Sequence, residues 1–149
     1  MPTVETKIAQ AIQARVASLP IPFVVLWTDD APAALPASGG QPEPYIEAHD
    51  EPNRTVRHFI GSSDPHQRPG LLLLTLCWPL SKVGSGSGKT HRDAIREYAG
   101  QIGAHFPVDQ PMDFDGVRVR VTKAPDVLGA YRDDAYLRTQ VRVSYQAFA

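Results

Sequence analysis

Apolar residues recur every three or four positions in two stretches of the chain, which is the spacing of one face of an α-helix. The first stretch extends from Val4 to Leu19, with Thr3 before it as a capping residue and two prolines after it. The second begins at Thr90 and is stopped by Pro107. Its apolar stripe consists of Ala94, Ile95, Tyr98, Ala99, Ile102 and Phe106. The chain is therefore predicted to contain two amphipathic helices.

Between the helices, the apolar pattern changes to that of β-strands. Residues 23–27 and 71–78 are short continuous apolar runs, which indicates strands covered on both faces or close to the core. Residues 45–49 and 54–60 flank a turn-forming Asp-Glu-Pro-Asn segment and together are typical of a hairpin. Four strands are thus expected before the second helix.

Two further strands are predicted in the last third of the chain. Asp115-Gly116 is a tight-turn dipeptide, and residues 117–121 alternate valine with polar residues after it. In residues 136–146 the alternation holds only if Thr139 faces inward with its apolar neighbours. Those neighbours are Leu137, Val141, Val143 and Tyr145.

Three segments have no usable period and are rich in Pro, Gly, Ser or Asp: residues 28–44, 61–70 and 79–89. Long loops in small domains usually carry function, so these are candidate contact segments. The order of elements predicts one α+β domain over residues 1–149. In this fold, two helices pack on one face of a mixed, mainly antiparallel sheet with long loops.

The composition of the chain limits the functions and the cellular compartment that can be expected of it. Lys and Arg total 15 against 16 Asp and Glu, so wholesale binding of nucleic acid is not expected, and any contact with DNA would be local. The single cysteine, Cys77, lies inside an apolar run and is predicted to be a buried hydrophobe rather than a nucleophile. The sequence shows no signal peptide and no apolar run long enough to span a membrane, which predicts folding in a reducing cytoplasm.

The stretch GSGSGKT, residues 84–90, is close to a phosphate-binding loop. Such a loop needs four residues between its first glycine and the Gly-Lys pair, because that length turns successive N–H groups toward the phosphates. The required glycine falls on Val83, and Gly84 leaves one residue too few. A flexible connection with Thr90 as helix cap is therefore favoured. The alternative is a nucleotide-binding enzyme that uses Gly84, Gly86, Gly88, Lys89 and Thr90.

No other constellation predicts a catalytic residue, a metal site or a cofactor. His49 with Asp50 and Glu51 lies at a predicted turn, where solvated polar residues are expected. The residue types of a hydrolase triad occur together in residues 63–66, but a triad needs groups from separate elements. Arginines, in contrast, line one face of the last two strands, and such a face is either solvated or an inter-subunit surface.

Two local patterns, in their order along the chain, resemble the phage tail terminator family. One is WTDDAP at 27–32, followed by PEPYIE at 42–47. The other is RPGLLLLTLCWPLSKVGSG from residue 68, which leads through the helix to IGAHF at 102–106. The similarity extends from Val4 to about Tyr145. The glycine-rich loop 84–88 and the nearly neutral charge are this chain's own features.

The resemblance implies a non-enzymatic virion protein, assembled in the host cytoplasm. It would form a ring of six that closes the head-proximal end of a tail tube, stops its polymerisation and offers a surface for head joining. The implied partners are further copies of the chain, the major tail tube protein and a connector or neck protein, with DNA touched only in passing. The equivalent part of a gene-transfer particle, or another head-completion protein, fits the same pattern.

The loops and the arginine-bearing strands supply the residues predicted to contact subunits or partners. These are Asp29, Asp30, Pro32, Pro36, His66, Arg68, Lys82, Ser85, Ser87, Lys89, Arg118, Arg120, Arg138 and Arg142.

Overall fold

A computed structural model describes residues 2–30, 34–80 and 91–149. The two helices in these ranges are α1 (Val4–Ala17) and α2 (His91–Ala104). The strands are β1 (Val24–Trp27), β2 (Ala37–Ser38), β3 (Gln41–Pro42), β4 (Tyr45–Pro52), β5 (Gln67–Pro79), β6 (Pro111–Phe114), β7 (Val117–Val121), β8 (Asp126–Val127), β9 (Tyr131–Asp133) and β10 (Tyr136–Phe148).

Eight of these strands form one sheet in the order β1-β4-β5-β10-β7-β6, and β8 and β9 also pair with β10. The β1 and β4 strands are parallel, whereas the other pairs of this sheet are antiparallel. The longest pairing joins β5 and β10, from Gln67 opposite Phe148 to Pro79 opposite Tyr136. The sheet is thus mixed but mainly antiparallel, with β1 and β6 at its two ends.

Both helices cover the same face of the sheet, as predicted. Helix α1 packs on β6 and β7, and α2 packs on β10, β5 and β8. The ends of the helices are tied together, because the Arg15 guanidinium donates to the carbonyl oxygen of His105 from Nε at 3.0 Å and from Nη2 at 2.6 Å. The α+β prediction is confirmed, with the core between this helix layer and the sheet.

The sequence pattern placed the helices well. Thr3 caps α1 as predicted, its Oγ1 accepting a hydrogen bond from the Thr6 amide at 3.3 Å. The predicted stripe of α2 is buried except at Tyr98, which is half-buried and stacks on Trp78 with ring centroids 5.7 Å apart. The proposed cap Thr90 lies outside the described residues.

The inward face of β10 also follows the prediction. Thr139 is only 2% exposed and shares the helix-covered face with Leu137 and Val141, two positions to either side of it. The turn before β7 has Asp115 at φ 46° and Gly116 at φ 82°, the pair of positive angles that a two-residue hairpin turn of type I′ requires. Strand β6, on the other side of this turn, was not predicted.

The predicted hairpin of residues 45–49 and 54–60 is wrong. Strand β4 continues to Pro52 and pairs with β5 instead. Residues 54–60 form no strand of the sheet and are held to it by a bridge between Val56 and Gln67 and by the His58 ring, which bonds Gln67 Oε1 at 2.5 Å. Arg57 holds this segment in a loop, since its guanidinium donates to the carbonyl oxygens of Phe59 and Ile60.

Burial of the two apolar runs differs from the prediction as well. Strand β1 pairs only with β4, which leaves Val24 at the sheet edge and 51% exposed. In β5, Leu72 and Leu74 are buried beneath the helices, whereas Leu71 and Leu73 lie half-buried on the opposite face. The continuous leucine run is therefore a strand in which burial of the side chains alternates between the two faces of the sheet. The loop 28–44 also contains the small hairpin of β2 and β3, and β5 begins inside the predicted loop 61–70.

Candidate subunit-contact surfaces

Acidic side chains gather where β1 ends at the edge of the sheet. The Asp30 amide donates to the Trp27 carbonyl oxygen at 3.1 Å, which turns the chain and leaves the Asp29 and Asp30 side chains exposed. His49 lies beside them, with Nδ1 at 3.9 Å from Asp29 Oδ1 and Nε2 at 3.3 Å from Glu51 Oε1. Within the described residues, the Asp30 carboxylate has no partner. We call Asp29 and Asp30 the acidic turn.

His66 and Arg68 lie at the start of β5 and hold the end of β10. The His66 amide donates to the Ala149 carbonyl oxygen at 3.1 Å, and the Ala149 amide donates to that of His66 at 3.0 Å. Arg68 Nε donates to the Ala149 carbonyl oxygen at 3.2 Å, while its Nη1 pairs with Glu5 of α1. These two predicted contact residues therefore have partners within the subunit.

The four predicted arginines of the last strands share the sheet face opposite the helices, but they differ in their ion-pair partners. Arg118 makes two bonds to the Asp113 carboxylate, at 2.6 and 2.9 Å. This hydrogen bonding, with the positive charges of Arg118 and Arg120 nearby, lowers the pKa of Asp113. Arg142 donates to Gln140 Oε1 at 2.8 Å, while Asp126, which lies opposite it in β8, pairs with Lys123 instead.

Arg138 lies in the middle of a partly buried network. Its guanidinium reaches Glu47 Oε2 at 3.3 Å, Asp133 Oδ2 at 2.9 Å and the Cys77 sulfur at 3.0 Å. Burial raises the pKa of the Cys77 thiol to about 11, so the cysteine stays neutral at physiological pH. Arg138 thus links β4, β5, β9 and β10 within one subunit rather than projecting into solvent.

The remaining predicted contacts are only partly described. Pro36 precedes β2, and its carbonyl oxygen accepts from the Glu43 amide at 2.9 Å, closing the small hairpin. The other predicted contacts, Pro32, Lys82, Ser85, Ser87 and Lys89, lie outside the described residues. The glycines of the nucleotide-binding alternative lie outside them too.

A cavity of about 790 Å³ opens between α2, β8 and β10, and sequence reasoning missed it. Arg92 and Arg96 line one side of it, and Val127, Leu137 and Thr139 line the other. Neither arginine has an acidic partner within the described ranges. The available signal was the spacing of two arginines four positions apart in a helix, but the sequence reading used only the apolar stripe of that helix. We call this site the arginine cavity.

A second missed feature is an exposed apolar loop after β4. Ile60 is 95% exposed, and Val56 and Phe59 are exposed beside it. The sequence pattern predicts a hairpin for this segment, which would give these side chains a strand partner. Its exposure makes it a candidate contact for another protein.

The described residues contain no group of three His, Cys, Asp or Glu side chains placed to hold a metal ion. In the same part of the chain, neither helix is long and apolar enough to cross a membrane.

Comparison with known proteins gives two findings. A family model described as phage tail terminator protein matches residues 7–145. A solved structure superimposes with a TM-score of 0.68 at 21% sequence identity, covering 98% of this chain and 96% of that chain. At this identity the likeness concerns the fold. Among the curated proteins, no match is found.

Proposed function

The chain belongs to the phage tail terminator protein family, and we propose that it forms the ring that closes the head-proximal end of the tail tube. A structural role in the phage tail follows from the family itself. The ring, the arrest of tube polymerisation and the joining to the head are the proposal. The family also favours this structural role over the nucleotide-binding alternative.

The observation that carries the proposal is the extent of the family match, which begins within α1 and ends within β10. The match thus covers nearly all of the folded unit, which supports a terminator role for the unit as a whole.

The shape of the sheet is compatible with ring formation. A closed ring with more than two subunits requires two different patches on each subunit, one for each neighbour. The sheet has unlike ends, with the four-residue parallel strand β1 at one and the antiparallel strand β6 at the other. The two ends are therefore unlike surfaces, as a head-to-tail contact requires. We propose six subunits per ring.

The ring has two further contacts in this proposal, the last ring of major tail tube protein and a connector or neck protein. The exposed apolar loop around Ile60 suits a protein contact, because burying its side chains would remove apolar surface from water. DNA would pass through the lumen with only local contacts, as expected for a net charge of −1. The site of action would be the virion, after assembly in the host cytoplasm.

Tube-length measurements test the function. Purified tail tube protein is polymerised with and without this protein, and tube lengths and ends are examined by electron microscopy. We expect shorter tubes of limited length, each with a ring at one end. Light scattering should give the ring a mass that is a multiple of the subunit mass. Tubes of unchanged length with bare ends would contradict the proposal.

A further inference from the structure

The arginine cavity contains two positive charges that lack a counter-charge. Arg92 and Arg96 are four residues apart in α2, so their side chains lie on the same side of the helix and repel each other. Both side chains are exposed, and neither forms an ion pair within the described ranges. Two unpaired guanidinium groups at the wall of one cavity are suited to a ligand with negative charge.

A buried hydroxyl in the same cavity points to the same ligand chemistry. Thr139 is only 2% exposed, and its Oγ1 has no hydrogen-bond partner among the described residues. Such an unpaired buried group is rare in proteins. Guanidinium groups only donate hydrogen bonds and a hydroxyl can donate one, so a group that only accepts, such as a carboxylate, would satisfy all three.

The acidic turn is the complementary surface on the same chain. Its two carboxylates are exposed, and the nearest cation to Asp29 is His49, at 3.9 Å and charged only when protonated. The turn follows β1, at one end of the sheet. The arginine cavity lies beyond β10, on the side where β8 pairs with it. The two surfaces of one subunit are therefore separated by β4, β5 and β10 and face different neighbours.

We propose that the arginine cavity of one subunit binds Asp29 and Asp30 of the adjacent subunit in the ring. This inference rests on the ring assembly proposed above and names its contact. Each carboxylate can accept two parallel bonds from a guanidinium, which fixes the angle between subunits as well as holding them together. The apolar side chains of Val127 and Leu137 in the cavity wall exclude water and strengthen these bonds.

DNA in the lumen of the ring is the alternative anionic ligand of the arginine cavity. The observations favour the neighbouring subunit as the ligand. A DNA duplex presents one phosphate about every 1.7 Å along its axis, and strong binding needs many cations in a row. Here each arginine is followed directly in α2 by a carboxylate, Asp93 or Glu97, so the helix has no row of cations for an extended polyanion. A turn with two carboxylates is small enough to enter the cavity alone.

Charge exchange tests the contact. Three variants are compared with the unaltered protein: Arg92→Glu with Arg96→Glu, Asp29→Arg with Asp30→Arg, and all four changes in one chain. Each of the first two places like charges across the interface, whereas the fourfold variant restores opposite charges in reversed order. Ring assembly on tail tubes is measured by light scattering and electron microscopy as a function of protein concentration. The double reversal Lys7→Glu with Lys123→Glu alters the same number of charges outside both surfaces and is the control, since each lysine pairs with an exposed carboxylate, that of Asp115 and Asp126 respectively.

We expect each double variant of the interface to need at least about 10-fold more protein for half-maximal assembly. The fourfold variant and the control should assemble close to the unaltered protein, and circular dichroism should show all variants folded. Normal assembly of both double variants would overturn the contact while leaving the terminator function intact. Failure of the unaltered protein to assemble on tubes would reject the terminator function and this contact with it. If Arg92→Glu with Arg96→Glu leaves assembly normal but abolishes a mobility shift of duplex DNA, the cavity binds phosphate and the subunit contact is wrong.

Discussion

Tyr145 donates a hydrogen bond from its hydroxyl to Oδ1 of Asp50, across the full width of strand β5. The tyrosine ring passes directly over Gly70, its cross-strand partner in β5. A Cβ atom on residue 70 would lie 2.2 Å from the hydroxyl oxygen and 2.3 Å from the ring carbon that bears it. Because residue 70 has no side chain, the Tyr145 ring of β10 can cross β5 and bond Asp50 of β4.

Replacing Gly70 should disturb this crossing. In Gly70→Ala the tyrosine ring must move, which both strains the packing and breaks the bond to Asp50. We expect a loss of about 1–3 kcal/mol in the free energy of unfolding, measured by urea denaturation. The matched control is Gly100→Ala in α2, where a Cβ meets nothing within 4 Å and alanine favours the helix. Equal stability of the two variants would show that the ring is not confined by residue 70.

Removing the tyrosine hydroxyl should have an effect that depends on pH. Burial raises the pKa of Asp50, and the hydrogen bond from Tyr145 opposes that rise. In Tyr145→Phe the carboxylate loses its donor, which should cost about 1.5–3 kcal/mol while Asp50 is charged and about 0.5–1.5 kcal/mol once it is protonated. Denaturation of both proteins at pH 7 and at pH 3.5 measures the two losses. The same loss at both pH values would contradict the role of the charged form.

The direction of the Asp50 pKa shift can be tested separately through the pH dependence of stability. Since its folded pKa lies above the unfolded value, the folded state holds the proton more tightly, and stability falls as the pH rises from the unfolded through the folded pKa. Asp50→Asn retains an acceptor oxygen for Tyr145 but cannot ionise. We expect this variant to lack that fall and to be at least as stable as the unaltered protein at pH 7. A steeper loss of stability with pH in the variant would show that another group is responsible.

Cys77 should be unreactive in the folded protein. With a pKa of about 11, roughly one thiol in a thousand is ionised at pH 8, and the side chain is fully buried. We expect a disulfide reagent of the Ellman type to react only after guanidinium is added. A Ser62→Cys variant, with its new thiol on an exposed loop, provides the control and should show one fast-reacting thiol under native conditions. Rapid reaction of Cys77 itself would mean that the sheet opens readily between β4 and β5.

Arg15 should contribute to stability through the link between the two helices. Arg15→Ala removes both bonds to the His105 carbonyl oxygen, with an expected cost of about 1.5–3 kcal/mol. Arg15→Lys keeps the charge but loses the paired geometry, so an intermediate loss is expected in thermal unfolding. A lysine variant as stable as the unaltered protein would show that charge alone suffices.

The same arginine affects His105. Burial, followed by the positive charge of Arg15, lowers the pKa of His105, whose ring also bonds the Arg15 carbonyl oxygen at 3.0 Å. Since the folded pKa lies below the unfolded one, this histidine reduces stability as the pH falls through its unfolded value of about 6.5. An NMR titration should give a pKa below 6.5 that rises in Arg15→Ala. An unchanged pKa would assign the shift to burial alone.

The helices were predictable because their signals are local. The apolar stripe of α2 and the cap at Thr3 depend on residues within four positions of one another. The alternation in β10, including Thr139, is local as well. Each of these patterns survives in the structure because the helix layer covers one face of the sheet and leaves the other open.

Strand partners were not predictable in the same way. An alternating pattern shows which side chains share a face but carries no information about the neighbouring strand, so residues 54–60 were paired with β4 by proximity alone. The contact between Tyr145 and Asp50 joins residues 95 positions apart, and only the glycine at position 70 hints at a close approach. The arginine cavity likewise arises from α2 and β8 meeting in space, which no local spacing reveals.

The position of β10 in the sheet has a consequence for how the protein folds during synthesis. This strand comes after all its partners in the chain, yet it lies between β5 and the group formed by β7, β8 and β9. Until residues 136–148 have left the ribosome, β5 lacks its 13-residue partner and the two halves of the sheet cannot join. Pairing of such distant segments is slow and leaves strand edges open to other chains. During synthesis one edge of β5 therefore stays open to other chains until β10 has been made.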